Sequence, residues 1–148
     1  MVTANYWGRG WSPSSLNFSD FAVEVEATKE AGPDDNVFGV IVRLMNRTNY
    51  YSFLLSSDRY YQIAKLENNS WTYVQDWSKS SAIKTGDAMN LVKVVCNGDK
   101  FSFYANNALL TDYNDSSFAY GSLGLYTGAQ SEGNVTVAFD NLTVRAIK

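Results

Sequence analysis

A β-hairpin is predicted by the stretch Asn90-Leu91-Val92-Lys93-Val94-Val95-Cys96-Asn97-Gly98-Asp99-Lys100-Phe101-Ser102-Phe103-Tyr104-Ala105, and this stretch decides the fold class. Both arms alternate apolar residues with polar ones, and Asn97-Gly98 is a residue pair that tight hairpin turns favour. The pattern returns in residues 121–126 and 135–144. Antiparallel strands of this kind bury one face and leave the other free to meet solvent or a ligand.

Two upstream segments alternate in the same way. In residues 21–27 every second side chain is apolar, which leaves Glu24 and Glu26 on the opposite face. In residues 37–44 the noncore face holds Gly39, Ile41 and Arg43. Turn signals recur about every ten residues without sustained helical periodicity, so we predict an all-β, two-sheet antiparallel jelly-roll β-sandwich. The predicted core comprises Phe21, Val23, Val40, Val42, Val92, Val94, Phe101, Phe103, Leu123, Leu125, Val137 and Phe139.

Length and charge limit the classes of function. The 148 residues suffice for a single domain, 1–148, with one core. The net charge is −3 and the twelve Lys and Arg residues are scattered, so the basic stripe that nucleic acids bind is missing. No apolar run approaches the about 18 residues of a membrane span. The single cysteine, Cys96, falls in a strand pattern and is predicted to be a small buried residue.

The N-terminal residues and the Asn-x-Ser/Thr triplets give indications of where the protein is located. Residues 1–5 resemble the end of a strand whose earlier part is missing, as in a domain cut from a larger modular protein, although a cytosolic protein is the alternative. Asn-x-Ser/Thr triplets occur more often than chance predicts, which fits an extracellular or cell-surface location. The simpler explanation is that polar β-proteins are rich in these residues. The triplets begin at Asn17, Asn46, Asn68, Asn114, Asn134 and Asn141.

An ordered series of motifs carries a family resemblance. It comprises Phe18-Ser19-Asp20-Phe21, Gly39-Val40-Ile41-Val42-Arg43, Asn49-Tyr50-Tyr51-Ser52-Phe53, Asn90, Phe103-Tyr104-Ala105-Asn106-Asn107, Gly121-Ser122-Leu123-Gly124-Leu125 and Phe139-Asp140-Asn141. Over residues 16–144 the chain resembles the concanavalin A-like, laminin G-like jelly-roll superfamily, and most of all the carbohydrate-binding modules attached to secreted glycosidases and surface proteins. The resemblance implies two stacked sheets with a sugar site on or beside a concave face.

The same superfamily includes retaining glycosidases that carry carboxylates at positions i, i+2 and i+4 of one strand. Here the series reads Glu24, Glu26 and Thr28, so the third carboxylate is absent. Catalysis would require two carboxyl groups about 5 Å apart in a cleft. Two solvated glutamates on an outward face are the alternative. Because the chain has no histidine, imidazole-based catalysis and His-ligated zinc are excluded.

The candidate ligand-binding residues are Arg43, Glu24, Glu26, Tyr104, Tyr126 and Trp77. Arg43 is predicted on the noncore face of a central strand, where a guanidinium can bind sugar hydroxyls or pair with Glu24 or Glu26. Tyr104 and Tyr126 alternate out of phase with the core, and aromatic rings stack on the apolar faces of sugars. Trp77 lies in the least regular segment, and packing at a sheet edge is the alternative for each aromatic.

Calcium is the one metal that the resemblance suggests, and no cofactor is otherwise required. Asp140 is the candidate ligand, with Asp34-Asp35-Asn36 as a second source of oxygen atoms. Turn formation and local backbone hydrogen bonding are the alternatives.

Taken together, the sequence predicts a noncatalytic carbohydrate-binding or adhesion module that recognises a glycan on a concave sheet face. A glycoside-processing enzyme of the same fold, using Glu24 and Glu26, is one alternative. A structural or protein-binding domain of a surface protein is another.

Overall fold

The computed structural model describes residues 2–4, 7–11, 17–129 and 134–147, with side chains described for residues 17–129 and 134–147. These residues form twelve β-strands. The strands are β1 (Val2–Ala4), β2 (Trp7–Trp11), β3 (Phe21–Ala31), β4 (Asn36–Asn46), β5 (Asn49–Leu55), β6 (Tyr60–Glu67), β7 (Ser70–Lys79), β8 (Asn90–Asn97), β9 (Lys100–Ala105), β10 (Ala108–Asn114), β11 (Ser122–Ala129) and β12 (Val135–Ala146).

The strands form two six-stranded antiparallel sheets. Sheet A has the order β1-β12-β3-β8-β9-β10, and sheet B has the order β2-β11-β4-β5-β6-β7. Strands β8 and β9 form the hairpin predicted over residues 90–105, with Val94 opposite Phe103. The two-sheet jelly roll predicted from the sequence is therefore confirmed. No helix long and apolar enough to cross a membrane occurs among the described residues.

The core lies between the two sheets and follows the predicted alternation. In β3 the side chains of Phe21, Val23, Val25 and Ala27 are buried. The predicted core is confirmed, except that Leu125 and Phe139 are only half-buried where they pack against it. Aromatic rings from the two sheets meet in the core, as between Phe53 of β5 and Phe103 of β9, whose centroids are 5.3 Å apart. Because the described inner-face side chains pack against one another, the outer faces and the ends of the sheets are the surfaces open to a ligand.

One predicted strand departs from simple alternation. A β-bulge lies in β4, where the pairing register with β5 shifts between Val42 and Asn46. Arg43 has a φ of 48°, in the left-handed region that non-glycine residues seldom adopt. An extra residue in a strand exchanges its two faces beyond the bulge. Leu44 therefore packs beside Ile41 on the outer side, although strict alternation through residues 37–44 would place it on the core face, and Arg43 turns into the protein.

Candidate functional site

The outer face of sheet B carries a groove with a volume of about 280 Å³. Strands β4 to β7 and β11 supply its walls and floor. The lining residues are Val37, Tyr50, Ser52, Leu54, Gln62, Trp71, Tyr73, Trp77, Tyr126 and Ala129. Half of these side chains are aromatic, and none is charged. We call this surface the sheet B groove.

Strand alternation places the groove residues. On β5 the side chains of Tyr51, Phe53 and Leu55 point into the core, so Tyr50 and Ser52 point outward. Strand β6 pairs with β5 so that Ala64 lies opposite Ser52. The neighbour of Ser52 on β6 is thus a single methyl group, which takes up little of the space on this face.

The aromatic wall comes mainly from the edge strand β7. The rings of Trp71 and Tyr73 are nearly parallel, with 6° between their planes and 6.4 Å between their centroids. Their exposed fractions are 45% and 53%. Tyr50 is buried and meets Trp71 edge to face, with 5.9 Å between the centroids. The buried tyrosine thus supports the exposed tryptophan from below.

Ser52 and Gln62 are the two described lining residues with non-aromatic polar side chains. The Ser52 hydroxyl is buried and has no hydrogen-bond partner among the described residues. Gln62 donates its Nε2 hydrogen to the Oδ1 atom of Asp76 at 3.1 Å. Asp76 also accepts from the backbone N of Trp77 at 2.9 Å, and these two hydrogen bonds lower the pKa of Asp76. Asp76 therefore fixes the Gln62 amide and the backbone of Trp77 in one arrangement.

Of the six predicted ligand-binding residues, the structure brings Tyr126 and Trp77 into this groove. Tyr104 leaves the core as predicted, but it lies on sheet A, where the Lys93 ammonium is 5.4 Å from its ring centroid. Tyr104 therefore faces away from Tyr126 across the whole sandwich.

Glu24 and Glu26 also lie on the outer face of sheet A. Glu24 is opposite Lys93 in the register of β3 and β8. The Oε2 atom of Glu26 accepts a hydrogen bond from Asn141 Nδ2 at 2.7 Å. Neither carboxylate lines the sheet B groove. Glu24 and Glu26 therefore lie on the outer surface of sheet A, opposite to the sheet B groove.

The predicted position of Arg43 is wrong, because the bulge in β4 directs this side chain inward. The residue is 1% exposed. Its guanidinium donates to the carbonyl oxygens of Gly98, Phe118 and Ser19 at 2.7, 2.9 and 2.7 Å. Asp20 lies 3.5 Å away as its ion-pair partner. Arg43 ties together segments at one end of the sandwich and contacts neither Glu24 nor Glu26.

Asp140 occupies a second bulge, where the register of β12 and β3 shifts between Asp140 and Thr143. Its Oδ1 atom accepts a hydrogen bond from the backbone N of Asn141 at 2.8 Å. Within the described part of the chain, no group of three or more Asp, Glu or Cys side chains is close enough together to hold a metal ion. The observed hydrogen bond is the local backbone contact that the alternative interpretation of Asp140 predicted.

Eight of the ten lining residues were missing from the predicted site, among them Ser52, Gln62, Trp71 and Tyr73. The i, i+2 spacing of Trp71 and Tyr73 is a usable signal, since it places both rings on one face of a strand. Ser52 and Gln62 carry no such signal. Their membership follows from the pairing of β5 with β6, which brings Leu54 opposite Gln62.

Comparison with known proteins places the fold. No protein-family model and no curated protein sequence matches this chain. The carbohydrate-binding module CBM66 from Bacillus subtilis is similar in structure with a TM-score of 0.73 and 21% identity, over 97% of this chain and 98% of that chain. Sheep galectin-11, solved with glycerol, gives a TM-score of 0.65 and 10% identity over 97% and 99% of the two chains.

An enzyme structure is also similar. A Bacteroides ovatus GH16 protein of a mixed-linkage glucan locus, solved with its G4G4G3G product, gives a TM-score of 0.66 and 5% identity over 87% of this chain and 70% of that chain. These TM-scores establish a shared fold, the two-sheet jelly roll. Since binding modules and an enzyme share it, the function must be argued from the site.

Proposed function

We propose that this protein is a carbohydrate-binding module that holds a neutral glycan in the sheet B groove. The observation that carries the proposal is the Ser52 hydroxyl, which is buried without a partner among the described residues and lines an aromatic groove. An unsatisfied buried hydroxyl costs about 1–3 kcal/mol. A sugar hydroxyl bound in the groove would satisfy it.

Stacking supplies the apolar part of the recognition. Trp71 and Tyr73 together present two large, nearly parallel rings to solvent on one strand. Exposed apolar patches of this kind on a soluble protein commonly mark binding sites. The C–H faces of a sugar ring pack against aromatic planes, while its hydroxyls remain at the ring edge for hydrogen bonding.

The side chains of Ser52 and Gln62 supply the hydrogen bonds of the proposed recognition. Because Asp76 accepts the hydrogen of Gln62 Nε2, the Gln62 carbonyl oxygen is held as an acceptor. Ser52 can both donate and accept. One donor and two acceptors suit hydroxyl groups, which themselves donate and accept.

None of the described residues that line the groove is charged, which favours a neutral ligand over an anionic one. A carboxylate or sulfate group would lose its hydration here without gaining an ionic partner. Hydroxyls exchange hydrogen bonds with water for hydrogen bonds with protein at little net gain. We therefore expect dissociation constants between micromolar and millimolar, equivalent to about 4–8 kcal/mol.

The test is retention on immobilised neutral glycans, run with calcium and with a chelator, for matched variants of the two faces. Trp71→Ala removes an exposed ring of the groove, and Tyr104→Ala removes an outward ring of sheet A. We expect Trp71→Ala to lose retention and Tyr104→Ala to keep it. Retention lost in Tyr104→Ala but kept in Trp71→Ala would overturn the assignment, as would the failure of every glycan to bind.

A second variant separates binding from folding. Ser52→Ala deletes the unsatisfied hydroxyl with a small change in volume, so the thermal unfolding midpoint should rise while glycan affinity falls. A midpoint that rises while the glycan affinity falls would show that the hydroxyl binds the ligand and does not stabilise the fold. A lower midpoint with unchanged affinity would contradict the proposed role of Ser52.

An extracellular location belongs to the same proposal, as does attachment to other domains of a modular protein. Its support is that all six asparagines of the Asn-x-Ser/Thr triplets are exposed, whereas Asn36 and Asn90, outside such triplets, are buried. Fractionation of the native cells, with an antibody against this domain, should find it in the medium or at the cell surface. Recovery in the cytosol alone would refute this location.

A further inference from the structure

A second cavity of about 290 Å³ lies at the end of sheet B where β4 begins and β5 ends. Its lining residues are Asp35, Asn36, Ser56, Asp58, Tyr60 and Trp77. Trp77 lines the sheet B groove as well, so the two concavities adjoin at this side chain. We call the second one the end cavity.

The strand register shows that the end cavity continues the groove. Along β5 and just beyond it, Tyr50, Ser52 and Leu54 line the groove and Ser56 lines the end cavity. The four residue steps from Ser52 to Ser56 span about 13 Å of extended chain. This path is longer than one sugar ring.

The wall of the end cavity is fixed by a buried asparagine. Asn36 donates its Nδ2 hydrogens to Ser57 Oγ at 3.0 Å and to the Pro33 carbonyl at 2.8 Å. Its Oδ1 atom accepts from the backbone N of Ser57 at 3.0 Å. The loop before β4 is thereby fastened to the turn after β5, which makes the cavity a preformed feature.

A serine orients the two residues that face solvent. Ser56 Oγ donates to the carboxylate of Asp58 and accepts from the backbone N of Tyr60 at 3.1 Å. The Tyr60 ring remains 38% exposed. A carboxylate and an aromatic ring are therefore held side by side next to Trp77.

Charge distinguishes the end cavity from the groove. It contains the carboxylates of Asp35 and Asp58, and neither forms an ion pair within the described residues. Carboxylates accept strong hydrogen bonds from hydroxyl groups. They repel anionic sugars.

We propose that the sheet B groove and the end cavity are adjoining subsites for one neutral oligosaccharide of at least two units, with Trp77 contacting both units. This inference rests on the proposed function and adds the length of the ligand to it. The groove holds one ring by stacking on Trp71 and Tyr73. The end cavity holds the next ring between Tyr60 and the two carboxylates.

The test measures affinity against chain length. Gluco-, xylo-, manno-, galacto- and fructo-oligosaccharides of one to four units are titrated by calorimetry and by nuclear magnetic resonance shifts. For the series that binds, we expect about a tenfold gain from one unit to two. Tyr60→Ala and Asp35→Asn should reduce this gain and leave monosaccharide affinity unchanged. Trp71→Ala should weaken ligands of every length.

The outcomes separate the two proposals. If Trp71→Ala weakens binding but affinity does not depend on length, the groove stands and the end cavity is no subsite. If Tyr60→Ala weakens the monosaccharide as much as the disaccharide, the two concavities are not separate subsites. If no series binds, the proposed function itself fails.

A charge test is independent of length. A disaccharide with a uronic acid at one end should bind more weakly than its neutral counterpart. In the double variant Asp35→Asn and Asp58→Asn, the affinities of the two disaccharides should lie closer together. If the ratio of the neutral to the acidic disaccharide affinity is the same in the double variant as in wild type, the two carboxylates do not face the bound sugar. Thermal unfolding of each variant checks that the turn of Ser56 is intact.

Discussion

The Arg43 guanidinium donates to the carbonyl oxygen of Phe118 at 2.9 Å, across 75 residues of sequence. The same group reaches the carbonyls of Ser19 and Gly98 and lies 4.9 Å from the centroid of the Phe101 ring. One buried cation thus joins three loops that close one end of the sandwich. Its three hydrogen-bond acceptors are backbone carbonyls, and the Asp20 carboxylate, 3.5 Å away, is its ion-pair partner.

Removal of this cation should destabilise the fold. Arg43→Ala leaves three carbonyls without their donor and creates a cavity beneath Phe101, at a cost of about 3 kcal/mol or more. Arg43→Lys should recover only part of this loss, since an ammonium lacks the planar fork. Urea unfolding measures both variants. The control is Arg47→Ala at an exposed turn position, expected within about 0.5 kcal/mol of wild type.

The error over Arg43 shows what strand patterns leave out. Alternation predicted the core of β3 and β4 as far as Val42, because each side chain there obeys the period of two. A bulge inserts one residue, and neither glycine nor asparagine marks it here, since the residue with positive φ is the arginine itself. The energy that holds this conformation comes from carbonyls distant in sequence, which local reasoning does not see.

The residues of the sheet B groove could be predicted only in part, because the sequence pattern does not show which strands are neighbours in a sheet. Alternation correctly predicted that Tyr104 and Tyr126 leave the core, but it does not say which sheet a strand joins. The structure puts Tyr104 in sheet A and Tyr126 in sheet B, so they lie on opposite surfaces. Trp71 reaches the groove because β7 pairs with β6, a choice fixed by long-range packing.

The core prediction has a direct energetic test. Phe103 is completely buried, and Phe103→Ala should cost about 3–5 kcal/mol in urea unfolding. Phe139 is the matched control, because its ring is half-buried and packs only against the margin of the core. Phe139→Ala should cost less. Equal losses would show that the two rings are packed alike and would contradict the observed burial.

The single thiol should be inert in the folded protein. Burial raises the pKa of Cys96 to about 12, although the nearby Arg43 charge opposes the shift. Since the thiolate is the reactive form, a disulfide reagent at pH 8 should label almost no native protein. Labelling should become complete in denaturant. Rapid labelling of the native state would mean that β8 opens locally far more often than its central place in sheet A suggests.

The ionised Asp115 side chain should make the stability of the fold depend on pH. Partial burial opposes ionisation of Asp115, but hydrogen bonds from Tyr51, Ser117 and Lys65 outweigh it and lower the pKa of Asp115 to about 2, from an ordinary value of 3.8. A folded-state pKa below the unfolded value means that the ionised carboxylate stabilises the fold above about pH 4. That contribution is lost as the pH falls from about 4 towards 2.

The variant that tests it is Asp115→Asn. At pH 7 it should unfold at lower urea than wild type, because the amide cannot accept as many hydrogen bonds from Tyr51 and Lys65. The difference should shrink steadily between pH 4 and pH 2, since wild type is then protonated as well. Asp99→Asn, at an exposed turn, is the control and should follow wild type throughout. A difference that stays constant across this range would show that Asp115 contributes through shape rather than charge.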